Sequence, residues 1–570
     1  MADTSGIPIV ETPVLVIGSS MVGMTLSSLL AQHGISDCIT VEKHASTAIH
    51  PRAAYFHPRT MQIYRELGLY EQMKQESYKY YDEHAGIYDV ESLAGREIGR
   101  YMEDLNEGLE RISPTSRLFL TQQMFEPLLR AHATKHGADL RFSTELLEFQ
   151  HDATGVSALI RNTATGAKQL VRAKYLVACD GNRSFVRQKI GIRMQGHGLL
   201  SHSLTIYFKA DLGRFVQGKY NGVIYVNNAH IRGFFRLDKT GREGFLAVNT
   251  AGERGTEASR FPAVNITNER ASEMLRAAIG ADVEYEITLL SPWDAVCDVA
   301  ERFQVDRILL AGDAAHIVTP NGGFGGNTGI QDAHNLAWKL ALVLKGQAGG
   351  DLISTYEAER WPVAKKTVDQ VFERYIVRTA PEFRQEGMEV EEEVPEPHLE
   401  LGYQYHSQGL ATKGLPGGSV TSDPATATAE AGTMAHHVLV TTTDQTESPA
   451  RPIAGLLGRT FVLVAGRDGG AWVRAARELS RKEDSTLPEV VAHQLAADGN
   501  ESFYEKYSLL TSGCVLIRPD GFVAWAESKA AATSSGTTGI STTVEMLEHV
   551  LRGILCLSSS PGMQDFKSKM

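Results

Sequence analysis

Three short turns hold most of the residues in this sequence whose types and spacing could do chemistry. The first, Gly18-Ser19-Ser20-Met21-Val22-Gly23, follows the apolar run Pro13-Val14-Leu15-Val16-Ile17. Its small residues are spaced as in a dinucleotide-binding turn, with Ser20 standing where the second glycine belongs. Glycines there bring the backbone close to a pyrophosphate, and a helix opening at Met21 would aim the positive end of its dipole at that charge. Glu42 closes the next apolar run, Cys38-Ile39-Thr40-Val41, and is placed to accept hydrogen bonds from a ribose diol, with Lys43 beside it.

The second turn is Asp180-Gly181, at the end of Tyr175-Leu176-Val177-Ala178-Cys179. Aspartate is a poor strand residue, so Asp180 either caps the helix that follows or serves a ligand. The third starts at Gly312-Asp313, after Arg307-Ile308-Leu309-Leu310-Ala311, and continues into Pro320-Asn321-Gly322-Gly323-Phe324-Gly325-Gly326-Asn327-Thr328. Gly322, Gly323, Gly325 and Gly326 leave the backbone bare enough for a flat ligand to lie against it. A helix beginning there would direct partial positive charge at that ligand, which suits the negative charge a reduced flavin carries near N1 and its C2 carbonyl.

These turns need a parallel sheet to position them. Val14–Ile17, Cys38–Val41 and Ile308–Ala311 read as strands buried on both faces, and Met21 to Ala31 as the helix of a βαβ unit. Between about Ile190 and Val283 the pattern changes to alternating segments such as Leu204–Phe208 and Gly222–Val226, so a second sheet is inserted and the first domain is discontinuous. The predicted division is 1–190 plus 284–380 for the nucleotide-binding domain and 191–283 for the inserted sheet. A linker at 381–430 contains the acidic stretch Glu389 to Pro397, and 431–570 forms a small α/β domain. That last domain should hold a strand at Phe461–Val464, a helix at Ala471–Leu479, a hairpin at Cys514–Trp525 and a terminal helix from about Thr542 to Leu555.

With 570 residues, two or three domains are expected. A formal charge of −12 with no long basic run argues against a nucleic-acid partner. Five scattered cysteines form neither a C-x-x-C pair nor a metal-ligand spacing, so no metal site and no disulfide framework are expected, and a reducing compartment fits. No apolar run reaches the roughly 18 residues of a membrane span. The expected location is cytoplasmic. The terminal Ser568-Lys569-Met570, one residue away from a peroxisomal address, makes the peroxisome the alternative.

Taken together, the three turns resemble those of the flavoprotein aromatic hydroxylases of the para-hydroxybenzoate hydroxylase type, over about Val14 to Ala364. Arg518-Pro519-Asp520-Gly521-Phe522-Val523-Ala524-Trp525 and Leu401-Gly402-Tyr403-Gln404-Tyr405 resemble the phenol, dichlorophenol and polyketide hydroxylase branch, which adds a thioredoxin-like C-terminal domain. The resemblance implies an α/β fold: a Rossmann-like FAD-binding domain, an inserted β-sheet substrate domain and that C-terminal domain. Cys514 has no partner cysteine in its segment, so the added domain is expected to be structural or to serve oligomerisation, with a homodimer as the candidate assembly.

Carried onto these residues, the resemblance implies that FAD is held by Gly18, Ser20, Met21, Val22 and Gly23, with Glu42 and Lys43 at the adenosine ribose and Arg52 near the pyrophosphate. Gln122 would touch the flavin side and Asp313, after Gly312, the ribityl chain. Asp180 and Gly181, with Arg187 in support, belong to a motif shared by FAD and NAD(P)H. Pro320, Gly323, Gly325, Gly326, Asn327 and Thr328 would face the isoalloxazine ring. The implied reaction takes electrons from NAD(P)H, with NADPH preferred, and O₂ as co-substrate, and hydroxylates a phenolic or polyketide aromatic through a flavin C4a-hydroperoxide.

A group that accepts or shares the substrate's phenolic proton is then required. The segment Arg52-Ala53-Ala54-Tyr55-Phe56-His57-Pro58-Arg59 lacks the aspartate that simple phenol hydroxylases place there, leaving Tyr55 or His57 for the role, with packing as the other reading of each. Tyr225 and Arg236, with Tyr207, Phe234 and Phe235, lie in the inserted sheet that would floor the pocket, where alternation turns only some of them inward. His316 reads as structural support. Baeyer–Villiger insertion or epoxidation on a polyketide is the alternative within flavin chemistry, separable by where ¹⁸O₂ label lands. A non-catalytic flavin-binding sensor would show no substrate-stimulated NAD(P)H oxidation, and a plain NAD-dependent dehydrogenase would be colourless.

Overall fold

The computed structural model describes residues 6–50, 55–217, 221–253, 256–381, 391–411, 419–444, 450–481, 486–528 and 537–557. Arg52, Glu389 and the Ser568-Lys569-Met570 terminus lie outside them. Among the described residues no helix is long and apolar enough to cross a membrane.

The apolar run ending at Ile17 becomes the strand Ile9–Ile17, lying between Lys168–Ala178 and Ile39–Val41 and parallel to both. Val14, Leu15 and Val16 are wholly buried, as a strand covered on both faces requires. The helix Met21–Gln32 covers one face. The strand Ile308–Leu310 rejoins this sheet alongside Lys168–Ala178, in parallel, with Ala178 opposite Leu310. An eight-stranded sheet thus collects strands from both sides of the inserted sheet. At its C-terminal edge Ile17, Val41, Ala178 and Leu310 bring the three glycine-bearing turns together, the place where open parallel sheets bind ligands.

The second sheet also has eight strands, and it reaches beyond residues 191–283. Its long pair Met194–Ala210 and Tyr285–Ala300 is extended by Glu243–Ala251, Ile231–Leu237 and Asn221–Asn227, and then by Gly86–Val90 and Glu97–Met102 from the N-terminal third of the chain. Alternation gives its two faces different jobs. Ile206, Phe208, Phe235, Leu246 and Val248 pack with Ala271, Leu275 and Ala278 of the helix Asn268–Ile279. Burying a side chain of this size contributes roughly 1.5–3 kcal/mol. The opposite face carries tyrosines, phenylalanines and arginines and turns toward the first domain.

In the C-terminal domain the four strands run in the order Val490–Gln494, Phe461–Ala465, Cys514–Ile517, Val523–Glu527, the first two parallel and the others antiparallel. The helices Gly470–Arg481 and Thr537–Ile554 pack on it, completing a thioredoxin-like arrangement. Cys514 is buried and unpaired by any disulfide. The segment read as a linker is partly structural. Residues 396–400 form the helix Glu396–Glu400, whose two terminal carboxylates are buried, and Leu401, Tyr403 and Tyr405 enter a core with Phe522 and Met434. Proline and acidic composition suggested a linker there, but Arg117, elsewhere in the chain, pairs with the buried Glu400 carboxylate.

Candidate active site

At the first turn, Gly18 has φ +97°, and a Cβ on it would sit 2.3 Å from the Cys179 carbonyl oxygen. A Cβ on Gly23 would lie 1.9 Å from Gly18 O. Both positions are therefore closed to a side chain. Ser20 is tolerated at the second glycine position because its hydroxyl is directed to Glu126, donating to Oε1 at 3.2 Å. Gln122 Nε2 donates to the same Glu126 oxygen at 2.9 Å and to Ser20 Oγ at 3.3 Å. Ser20 caps the helix Met21–Gln32 without a side-chain hydrogen bond to it, leaving first-turn amides available for an anion. Met21 and Val22 pack inward. Glu42 Oε2 accepts from Ser19 N at 3.0 Å at the sheet edge, and Lys43 is exposed next to it.

Glu126 is a site residue that sequence reading missed. It is almost fully buried, and burial raises its pKa while Ala48 N, Gln122 and Ser20 bond it. Its signal was there: it stands four residues after Gln122, on the same helical face.

The second and third turns interlock. Asp180 accepts from Val186 N at 3.2 Å through Oδ2, in the first turn of the helix Phe185–Lys189 that Ser184 caps by accepting from Arg187 N, while the buried Asp180 Oδ1 has no partner. Gly181 follows at φ +83°. Arg187 donates to Ala314 O at 3.0 Å and Asn182 O at 2.9 Å, tying the Asp-Gly turn to the Gly-Asp turn. Gly312 donates its N–H to Asp332 Oδ2 at 3.1 Å, and His316 Nε2 donates to the same oxygen at 2.7 Å. Arg360 Nε donates to Asp332 Oδ1 at 2.7 Å. Burial works against the Asp332 charge, but His316 and Arg360 outweigh it and hold the carboxyl below its usual range. His316 is thus a structural support, and Asp332 is the missed hub. Asp313 is exposed beside them.

The glycine run is closed in rather than bare at its start: a Cβ on Gly322 would lie 2.5 Å from the Phe324 ring and one on Gly323 would lie 2.8 Å from the Tyr55 ring. Gly322 and Gly323 adopt φ of +77° and +71°, and Gly323 caps the helix Phe324–Leu344 with no side chain to offer. Pro320 is exposed, Gly325 and Gly326 are half-buried, and Thr328 is buried with its carbonyl accepting from Arg360. Asn327 faces inward: its Oδ1 accepts from His57 N at 2.9 Å and Thr60 Oγ1 at 2.6 Å, and its Nδ2 donates to Tyr55 O and Gly323 O. His57 is buried and donates from Nε2 to Gly322 O at 2.8 Å, with Glu400 3.6 Å away. Burial lowers its pKa against the pull of Glu400, so a neutral ring braces the glycine turn.

An aromatic row crosses the inner face of the second sheet. Centroids are 5.7 Å apart from Tyr101 to Tyr225, 5.9 Å from Tyr225 to Phe234, 6.2 Å from Phe234 to Phe245 and 5.7 Å from Phe245 to Tyr207. Phe235 points the other way, into the helix-packed core. Arg378, at the end of the helix Ser354–Arg378, hydrogen-bonds Tyr225, whose pKa burial pushes up to about 12. At the end nearest the glycines, Tyr55 packs against Phe119 and Gly323, and its buried hydroxyl has no partner. The Arg236 guanidinium carbon lies 3.3 Å from the Phe119 ring centroid and 4.3 Å from that of Tyr81. Its NH1 donates to Gly222 O, while Nε and NH2 have no partner. Burial lowers its pKa to about 10, so it stays charged at neutral pH.

Behind this end stand Glu396 and Glu400, which sequence reading assigned to a linker. Arg117 donates to Glu400 through Nε at 3.0 Å and NH2 at 2.6 Å. Burial opposes the Glu400 charge, but the Arg117 guanidinium beside it outweighs this and holds its pKa down. Glu396 is held above its usual range by burial and by Glu400.

Two helix N-termini without side-chain caps, closed glycine turns and a sheet-edge acid make a site whose residues fit FAD. The comparisons agree. Residues 11–371 match the family described as FAD binding domain, and residues 428–551 match the aromatic-ring hydroxylase C-terminal family. A 4-methyl-5-nitrocatechol 5-monooxygenase of Burkholderia sp is 45% identical over 524 residues, covering 91% of this chain and 94% of that protein. An aklavinone 12-hydroxylase of Streptomyces peucetius is 35% identical over 468 residues, covering 81% and 93%. The structure of aklavinone-11 hydroxylase with FAD and aklavinone superposes with a TM-score of 0.85 at 32% identity, covering 98% of this chain and all of that one. The closed turns at Gly18 and Gly23, the sheet-edge acid Glu42 and these matches lead to one conclusion: the chain belongs to the FAD-binding aromatic-ring hydroxylases and is a FAD-dependent monooxygenase.

Proposed function

We propose that this monooxygenase hydroxylates a phenolic ring bound as its phenolate, with catechol-sized substrates such as nitrocatechols taken ahead of polycyclic ones. The observation that carries this reading is Arg236: a buried, charged guanidinium with two unpartnered nitrogens, Nε and NH2, close to the unpartnered Tyr55 hydroxyl. An opposite charge in a desolvated place lowers the pKa of a bound phenol, and the resulting phenolate is the more electron-rich ring. Tyr55 then hydrogen-bonds the substrate oxygen, while Tyr225, Phe234 and Phe245 lie against the ring face. His57 and Asn327 hold the glycine turn in place, and Pro320 closes the opposite wall. FAD, once bound and reduced by NAD(P)H, supplies the activation of O₂. The protein's part is orientation, exclusion of water and the fixed charge at the phenolate oxygen.

Within this reading FAD is held by the turn from Gly18 through Ser20 to Gly23, by Glu42, Gln122 and Asp313, and by the glycines after Pro320. Asp180, Gly181 and Arg187 set the shape of the neighbouring turn. NADPH is the preferred donor and a homodimer the working assembly, checked by comparing the two nicotinamides and by light scattering. The decisive experiment is stopped-flow bleaching of the oxidised flavin at roughly 450 nm by NADPH, with 4-methyl-5-nitrocatechol, simple phenols and aklavinone compared. A nitrocatechol should accelerate reduction most, and Arg236→Met should lower kcat/KM about 100-fold, the size of a lost charge-assisted contact. No acceleration by any of them overturns the proposal.

A further inference from the structure

A cavity of about 290 Å³ lies between the helix Pro58–Glu66 and the C-terminal domain, and none of the residues placed in the flavin cradle or on the aromatic row lines it. Its polar wall is built from Arg59, Arg65, His436 and His437. Each of these side chains carries a buried nitrogen with no hydrogen-bond partner in the protein: Arg59 Nε, Arg65 NH1, His436 Nε2 and His437 Nδ1. Buried polar groups in native proteins are nearly always hydrogen-bonded, so four unsatisfied ones around one cavity call for an explanation. The remaining wall is apolar, from Ile112, Leu401, Met434, Ile453 and Leu457.

The charge around the cavity is lopsided. Two guanidiniums face one carboxylate among the described lining residues, and that carboxylate, Glu66, already accepts from His334 Nε2 at 2.9 Å. Burial lowers the pKa of His436 to about 4, and burial together with Arg65 lowers that of His437. Both are therefore neutral imidazoles at neutral pH, each with one donor and one acceptor nitrogen. Apolar walls with a few converging polar groups are the usual make-up of a small-molecule site, and this volume holds one or two rings. The chemistry that matches all of it is a flat apolar body with an anionic oxygen.

We propose that this cavity is a second binding site, for a small aromatic anion such as a benzoate or phenolate, separate from the place of oxygen transfer. Arg59 links it to both domains: its NH2 donates to Asp520 O of the C-terminal hairpin at 2.5 Å and to His334 Nδ1, on the helix that starts at the glycine cradle, at 3.2 Å. An occupant here bridges the two domains, and occupancy stabilises the holoenzyme by mass action.

The test is equilibrium dialysis of 4-nitrobenzoate against FAD-loaded protein, with inorganic phosphate as a competitor. Binding should survive Arg236→Met, and Arg65→Gln and Met434→Trp should each weaken it at least tenfold while FAD content and substrate-stimulated NADPH oxidation stay unchanged. If Met434→Trp fails to retain FAD, Arg65→Gln and His437→Asn carry the comparison, since both residues are only half-buried. Binding lost with Arg236→Met but unaffected by the cavity variants would overturn the proposal. So would absence of binding at millimolar 4-nitrobenzoate, or its complete displacement by phosphate.

Discussion

The Arg518 guanidinium closes on the Glu359 carboxylate through hydrogen bonds of 2.6 and 2.9 Å, and neither side chain has any exposed surface. Arg518 belongs to the C-terminal hairpin and Glu359 to the long helix Ser354–Arg378, so the pair joins two domains through their interior. Lys339 adds a third charge, 2.7 Å from Glu359, and Asp520 a fourth beside Arg518. Breaking one member of a buried set costs about 3–5 kcal/mol because its partner is left uncompensated. Arg518→Met and Glu359→Gln should each lower the melting temperature by several degrees, read by flavin fluorescence on heating. A double variant that loses no more than either single one identifies the pair as the shared cause.

Gly312→Ala should give protein that purifies colourless or nearly so. The residue has φ +60°, and a Cβ there would lie 2.9 Å from Val22 Cγ2. The left-handed backbone alone costs an alanine about 1–2 kcal/mol, and the contact adds to it. FAD affinity, titrated by flavin fluorescence quenching, should fall at least tenfold, whereas alanine at Gly166, whose Cβ would meet nothing within 4 Å, should leave it unchanged.

Phe234 and Phe235 are neighbours in sequence that point to opposite faces of one strand. Phe234→Ala should raise KM for a phenolic substrate about tenfold with little change in melting temperature. Phe235→Ala should do the reverse, destabilising by about 3–5 kcal/mol through the cavity it leaves in the core. Steady-state kinetics and thermal melts of both variants check the assignment of faces, and a matching phenotype for the two would refute it.

Acid should unfold this protein through specific carboxylates. Asp332, Glu359 and Asp520 have folded pKa values below their ordinary 3.8 to 4.5, in each case because neighbouring cations outweigh burial. In the window between folded and unfolded values the unfolded chain binds more protons, so stability rises with pH there. Their contribution is complete above about pH 4.5 and is lost as pH falls through the folded values. Glu396 has the opposite sign, raised by burial and Glu400. Glu396→Gln should therefore increase the melting temperature at pH 8, with the gain shrinking as pH drops toward 4.5. Differential scanning calorimetry across pH 4 to 8 measures both effects.

Much of this was readable from spacing. The runs ending at Ile17 and Ala311 announced buried strands because parallel strands are apolar throughout, and the glycines at 18, 23 and 312 announced turns that admit no side chain. What escaped were residues whose importance is set by distant partners. Asp332 looked like one polar residue within a helix, yet Gly312, His316 and Arg360 all converge on it. Glu400 looked like linker charge because Arg117, its ion-pair partner, lies nearly three hundred residues earlier in sequence. His57 was legible as important but not in kind, since a hydrogen bond to Gly322 O depends on a turn no local pattern encodes. The strands Gly86–Val90 and Glu97–Met102 joined the second sheet through a pairing with Asn221–Asn227 that sequence proximity does not suggest.

The interior joint at Arg518 also bears on how the enzyme is made. Ribosomes release the strand Ile308–Leu310 and the helices after it well before the C-terminal hairpin, so Glu359 and Lys339 wait for Arg518 through the synthesis of more than a hundred further residues. A product truncated before that hairpin would keep a buried acid without its main cation, on the helix that packs behind the Gly312 turn. Chains that lack the hairpin would then be less stable than chains that carry it, so the joint couples the folding of the flavin-binding domain to the arrival of the C-terminal one.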